Sequence, residues 1–174
     1  MALLLKLDSC VYADDTLHLT GYIPQLAIDT VHSRTVKVTG CEIIPDRGFK
    51  GVKMTTVQLS GDLRVIGASA FAECRQVKDV NFDACTALTT IRNSAFLNCT
   101  QLQSIKLPPS LTTIEVSAFE GCSGLRTVDL SGCSKLKQTD WAFRGCRDIT
   151  FTMPSSGHCA GKGGHGCESK HLNP

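Results

Sequence analysis

Ala-Phe-x-x-Cys occurs four times in this chain, and that recurrence limits the possible folds more than any other feature. The copies are Ala70-Phe71-Ala-Glu-Cys74, Ala95-Phe96-Leu-Asn-Cys99, Ala118-Phe119-Glu-Gly-Cys122 and Ala142-Phe143-Arg-Gly-Cys146. Their phenylalanines lie 25, 23 and 24 residues apart, and a degenerate copy sits 22 residues earlier, with Phe49 in place and Val52 where Cys is expected. A unit of this length cannot bury its own apolar face. Successive units must therefore stack, each touching only its neighbours, and bury one continuous core.

The apolar residues around each anchor keep fixed offsets. Leu63 and Ile66, Leu88 and Ile91, and Leu111 and Ile114 precede the phenylalanines. Val77, Val80 and Phe82, then Leu102, Ile105 and Leu107, then Leu125, Val128 and Leu130 follow the cysteines. The last two of each trio form an apolar-x-apolar strand signature. The same signature continues upstream as Val57-Gln-Leu59, Val36-Lys-Val38, Leu17-His-Leu19 and Leu5-Lys-Leu7. The expected fold is a repeat solenoid, a leucine-rich-repeat-like stack of short parallel β-strand coils spaced by ~4.8 Å. It spans residues 1–153, with irregular capping coils over 1–35 and regular repeats from about 57 to 151. A Gly-rich tail follows over 154–174.

The consensus Leu-x-x-Ile-x-x-x-Ala-Phe-x-x-Cys-x-x-Leu-x-x-Ile-x-Leu-Pro, best seen from Leu88 to Pro108, resembles the BspA-like (Treponema pallidum-type) leucine-rich repeats. The resemblance is specific over Leu63 to Cys146 and implies a right-handed solenoid that serves as a recognition or adhesion surface. It implies no catalytic residue. Three departures fit coils that must stop a stack. Phe49 lacks its Cys, the Leu136 coil is one residue short with Thr139 where Ile belongs, and Cys146 is followed by a truncated Ile149-Thr-Phe151.

Composition narrows the function. Hydrophobic residues make up 42% and charged residues 20%, as in a globular chain. A net charge of +2 without a Lys/Arg stripe argues against a nucleic-acid partner. No stretch approaches the ~20 apolar residues of a membrane span. The apolar run in Met1-Ala-Leu-Leu-Leu-Lys-Leu-Asp8 is broken by Lys6 and falls short of a signal-peptide core of ~7–15 residues. It reads as a strand, so an intracellular setting, cytoplasmic or organellar, is expected and secretion is disfavoured. No nucleophile–base pair, phosphate loop or cofactor motif appears, so an enzyme is not expected and no cofactor is implied.

Ten cysteines are many for 174 residues. Cys74, Cys99, Cys122 and Cys146 share one repeat position, which points to buried thiols acting as small hydrophobes rather than to a reactive or metal-binding series. Cys85 and Cys133, each three residues before a repeat Leu (Leu88 and Leu136), form a second such pair. Outward-facing strand centres form the candidate contact surface. These are Lys37, Gln58, Asn81, Lys106 and Asp129, with Lys6 and His18 before them. A solvated sheet face is the plainer reading of that mixed set. Trp141 is a sharper departure, because Ser69, Ser94 and Ser117 occupy its position in the three preceding copies. An exposed Trp anchors interfaces well, whereas a Trp on a last coil also serves to cap an open core.

The tail holds Cys159, His165, Cys167 and His171, a two-Cys, two-His set able to bind zinc tetrahedrally. No Cys-x-x-Cys pair supports it, and chance clustering in a polar tail explains it as well. A Cys159–Cys167 disulfide is a further alternative. The expected function is a non-enzymatic protein–protein interaction module, a small accessory or structural subunit of a multi-subunit intracellular assembly. Its rivals are an extracellular adhesion or recognition module, and a zinc-structured protein acting through its tail.

Overall fold

The computed structural model describes residues 10–21, 33–137 and 141–155. Over these the chain winds as a solenoid of short strands. A front row is formed by β2 (Thr16–Thr20), β3 (Thr35–Thr39), β5 (Thr56–Leu59), β7 (Asp79–Asn81), β9 (Ser104–Lys106), β11 (Thr127–Asp129) and β12 (Thr150–Thr152). A back row of two-residue strands comprises β4 (Ile43–Ile44), β6 (Val65–Ile66), β8 (Thr90–Ile91) and β10 (Thr113–Ile114). All pairing within these rows is parallel, and equivalent repeat positions face one another: Val36 pairs with Val57, Val57 with Val80, and Ile66 with Ile91.

Strand alternation explains the core. Side chains of successive strand residues point to opposite faces, so Leu17 and Leu19, Val36 and Val38, and Val57 and Leu59 turn inward and are buried. Each corner adds Leu and Ile from the back row and Phe from the turn. Phe49, Phe71, Phe96, Phe119 and Phe143 form an unbroken column, with ring centroids 5.2, 5.1, 5.1 and 5.1 Å apart and planes within 10°. Ala70, Ala95, Ala118 and Ala142 are buried beside them.

The turn carrying each Phe has a backbone signature that the consensus does not announce. The residue two before Phe is left-handed in every coil: Arg47, Ser69, Ser94, Ser117 and Trp141 have φ between 55° and 60°. The residue two after it is left-handed as well, as Gly51, Glu73, Asn98, Gly121 and Gly145. These reversals aim the turn amides along the stack, so each coil donates into the next. Phe49, Phe71, Phe96 and Phe119 each donate N–H to the carbonyl of Ala70, Ala95, Ala118 or Ala142 at 2.7 Å. Side chains lock the second position: Asn98 Nδ2 donates to Glu73 Oε1 at 2.8 Å. A Cβ on Gly121 would collide with Asn98 Oδ1.

The two ends differ. At the front, β1 (Cys10–Ala13) folds back antiparallel on β2 through Asp14 and Asp15, both left-handed at φ 48° and 59°. This two-residue turn suits a hairpin, and the sequence reading missed it. The strand expected at Leu5-Lys-Leu7 lies outside the described residues. At the far end Phe151 meets Phe143 edge-on at 5.3 Å, and Ile149 and Met153 pack beside it. Phe151, not Trp141, covers the last ring of the column.

One coil is also out of step. Among the described residues no backbone hydrogen bond joins β7 to β9, so the front row divides into β1-β2-β3-β5-β7 and β9-β11-β12. The back row runs through the same coils without a break. Asp79 and Ser104 are 25 residues apart, whereas the strand starts on either side are 23 apart. The two additional residues lie in the corner between Phe82 and Leu88, and the Phe column holds its spacing across that coil.

Candidate interaction surfaces

The strand centres expected to form a contact surface do share one face, but they are not equivalent. Gln58, Asn81 and Lys106 are exposed, whereas His18, Lys37 and Asp129 are half-buried. Lys37, Gln58 and Asn81 line one open cleft of about 420 Å³ with Ser60 and Asp83. Asn81 and Lys106 line a second, of about 200 Å³, over the interruption between β7 and β9. Asn81 and Asp83 line both clefts.

Two of these side chains also have structural work. Asn81 Oδ1 accepts the Asp83 N–H and Asp129 Oδ1 accepts the Ser131 N–H, each at 2.8 Å. These are Asx turns, and they open the two six-step corners that run from Phe82 to Leu88 and from Leu130 to Leu136. Hydrogen bonds from Ser131 hold the Asp129 carboxyl below the usual carboxylate range. Lys37, Gln58 and Lys106 have no such duty among the described hydrogen bonds.

Trp141 stands apart from this face, on the turn ridge. It is 61% exposed, with φ at 57°. The capping alternative is thereby overturned, since a ring folded over the core would be buried and Phe151 already occupies that place. A large aromatic residue in the left-handed region costs ~1–2 kcal/mol relative to ordinary helical backbone. The Ser117 N–H donates to the Trp141 carbonyl at 3.3 Å, which holds this turn against the coil before it. Val116, beside Ser117 on that preceding coil, is 44% exposed. The sequence reading had not marked it, because its repeat position varies, carrying Asp46, Ala68, Asn93 and Asp140 in the other coils.

The thiols turn inward. Cys41, Cys74, Cys85, Cys99, Cys122, Cys133 and Cys146 are all unpaired and buried. Each thiol of the main column donates to the Phe carbonyl of the coil before it: Cys74 to Phe49 at 2.9 Å, Cys99 to Phe71 at 3.3 Å, Cys122 to Phe96 at 3.1 Å and Cys146 to Phe119 at 3.0 Å. Burial pushes Cys74 and Cys85 up to about 12 and Cys41 and Cys133 up to about 11. Neutral thiols of this kind are inert packing groups. Cys159, His165, Cys167 and His171 lie outside the described residues. Among the described ones no group of three or more His, Cys, Asp or Glu is placed to hold a metal ion.

Stacked parallel coils with a repeated left-handed turn define a leucine-rich-repeat-like solenoid. The chain belongs to the BspA type leucine rich repeat region family, whose model matches six copies over residues 34–158. Its fold is similar to that of the T. pallidum leucine rich repeat protein (TM-score 0.65, 24% identity, covering 83% of this chain and 68% of that one). It is also similar to a leucine rich cell surface protein from Faecalibacterium prausnitzii A2-165 (TM-score 0.67, 22% identity, covering 85% of this chain). The chain spans 40% of the length of that second protein. No curated protein matches it. Repeats of this family point to protein–protein interaction or recognition. Among the described residues no helix is long and apolar enough to cross a membrane.

Proposed function

We propose that this chain is a non-enzymatic recognition module that binds a protein partner, acting as a small accessory or structural subunit of a larger intracellular assembly. Trp141 carries this reading. Folding alone gives no reason to replace the Ser of three preceding coils with a solvent-facing Trp on a left-handed backbone, whereas docking does, because aromatic anchors bury much area with little loss of entropy. Lys37, Gln58, Asn81, Lys106 and Asp129 form a polar second surface around the two clefts. The intracellular part of the reading is supported by seven unpaired buried thiols, since oxidising compartments favour disulfides.

The cell-surface description of the Faecalibacterium neighbour favours a second reading, an extracellular recognition module. Native mass spectrometry of the protein isolated gently from its source separates the two. A stoichiometric co-purifying partner that is lost in Trp141→Ser supports the subunit reading. A bare monomer counts against it, and its alkylation pattern, oxidised or free, then tests the surface alternative. A third reading, zinc held by Cys159, His165, Cys167 and His171, is supported only by one added zinc mass that disappears with chelator.

A further inference from the structure

We infer that the larger front-face cleft, over β3, β5 and β7, binds a small neutral saccharide through Lys37, Gln58, Ser60, Asn81 and Asp83. This goes beyond the protein partner proposed above and does not depend on Trp141. The cleft measures about 420 Å³, within the ~300–1,000 Å³ of small-molecule sites. Lys37, Gln58 and Asn81 face one another in register on successive strands. Two coil steps separate the first from the last, roughly 10 Å, which is the reach of a disaccharide. Asp83 and Ala84 enter from the long corner that begins at Phe82, and Ser60 and Gly61 from the shorter corner that begins at Leu59. The two corners meet closely, since a Cβ on Gly61 would lie 2.9 Å from the Ala84 carbonyl oxygen.

The hydrogen-bonding groups of this lining are largely unused by the fold. Ser60 Oγ is buried and has no partner among the described residues, and such orphan groups are uncommon in folded proteins. No side-chain hydrogen bond or ion pair among the described residues engages the Lys37 ammonium, the Gln58 amide or the Asp83 carboxylate. Asn81 uses Oδ1 on the Asp83 N–H, which leaves its Nδ2 to donate. Lys37 and Asp83 are the only charged residues in the lining, one of each sign, so the lining selects neither an anion nor a cation. Asp62, Asp79 and Lys106 on the adjoining corner and strands are of both signs as well, and His18 lies beside Lys37 in register.

A ligand for this cleft must accept from Lys37 and Asn81, donate to Asp83, and do both at Gln58 and Ser60. A hydroxyl group both donates and accepts, so a polyhydroxylated neutral molecule meets every demand at once. An extended peptide fits less well. β3 and β5 are hydrogen-bonded to a strand on each side, so the cleft offers no open edge for an added strand. No aromatic ring lines the cleft, so binding rests on hydrogen bonds and is expected in the millimolar range.

The test is nuclear magnetic resonance titration of the full chain labelled with nitrogen-15, in which the Gln58 and Asn81 side-chain amides report directly. The probes are cellobiose, lactose, maltose and N-acetylglucosamine, with glucuronic acid, glucosamine and tetraglycine as counterparts. At least one neutral sugar is expected to move both amide signals saturably. Lys37→Met and Asp83→Asn each weaken that response at least fivefold, whereas Lys50→Ala on the first turn leaves it unchanged. Ser60→Ala weakens it without lowering the melting temperature, because the fold makes no use of that hydroxyl. Absence of a response to all four neutral sugars overturns the inference. Tetraglycine moving the same signals as strongly overturns the saccharide, and tighter binding of glucuronic acid or glucosamine overturns the neutral ligand. None of these outcomes bears on Trp141, whose reading stands or falls with the co-purifying partner.

Discussion

The third and fourth Ala-Phe-x-x-Cys turns are nearly the same object inside and different objects outside. Phe119 and Phe143 stack at 5.1 Å and 5°, both alanines and both cysteines are buried, and Gly121 and Gly145 share φ of 71° and 73°. The outward positions differ in size, charge and strain. A stack in which each coil hydrogen-bonds the next constrains the outer side chains less than the buried ones. A costly outer residue such as Trp141 is therefore informative.

The sharpest test of interior equivalence is Phe119→Ala against Phe143→Ala. Phe119 is stacked on both faces, so its removal is expected to cost ~3–5 kcal/mol in urea denaturation. Phe143 is stacked on one face and met by an edge on the other, so its cost is expected to be smaller. Equal losses would mean that the last coil is packed as tightly as an inner one.

Next in size is Gly121→Ala against Gly145→Ala. Both place Cβ on a left-handed residue, at ~1–2 kcal/mol, but only at Gly121 does the methyl also displace the Asn98 amide from Glu73. Thermal melts should rank Gly121→Ala as the more damaging. An identical shift in both would show that the Asn98–Glu73 contact adds nothing.

The thiols predict a loss of stability in base. The folded pKa values of Cys41, Cys74, Cys85 and Cys133 are raised, so the stability these four contribute is complete below the unfolded value near 9.0 and declines as pH rises through about 11 to 12. Urea midpoints under reductant should therefore fall from pH 9 upward. In a Cys74→Ala variant the slope should be shallower. A flat profile to pH 11 would contradict neutral burial.

The smallest expected effect is that of Trp141→Ser on folding. Stability should stay the same or rise by ~1 kcal/mol as a bulky residue leaves the left-handed region. A clear drop in melting temperature would make Trp141 a structural residue and remove its special meaning.

Most of the fold was legible because a repeat states each packing rule several times. Phe71, Phe96, Phe119 and Phe143 marked a column, and the Leu-x-x-Ile offsets marked the corner beside it. The hairpin at Asp14-Asp15 was not legible, since it occurs once and its strand partner lacks the repeat pattern. The left-handed positions were hidden for a different reason. Ser, Glu, Asn, Arg and Trp all occupy them, and only Gly51, Gly121 and Gly145 hint at the backbone they share. Trp141 stood out by comparison with Ser69, Ser94 and Ser117, but its exposure had to be seen. The Asx turns of Asn81 and Asp129 depend on corner length, which the strand pattern does not show.

The interruption between β7 and β9 has a consequence for how the molecule comes apart. A stack behaves as a one-dimensional chain of neighbours, and its cooperativity is only as strong as its weakest interface. Here that interface keeps its Phe contact and its back-row bonds but lacks the front ladder. Heating or denaturant should therefore split the melting into two blocks, one from Thr16 to Asn81 and one from Ser104 to Thr152, each of which remains cooperative within itself.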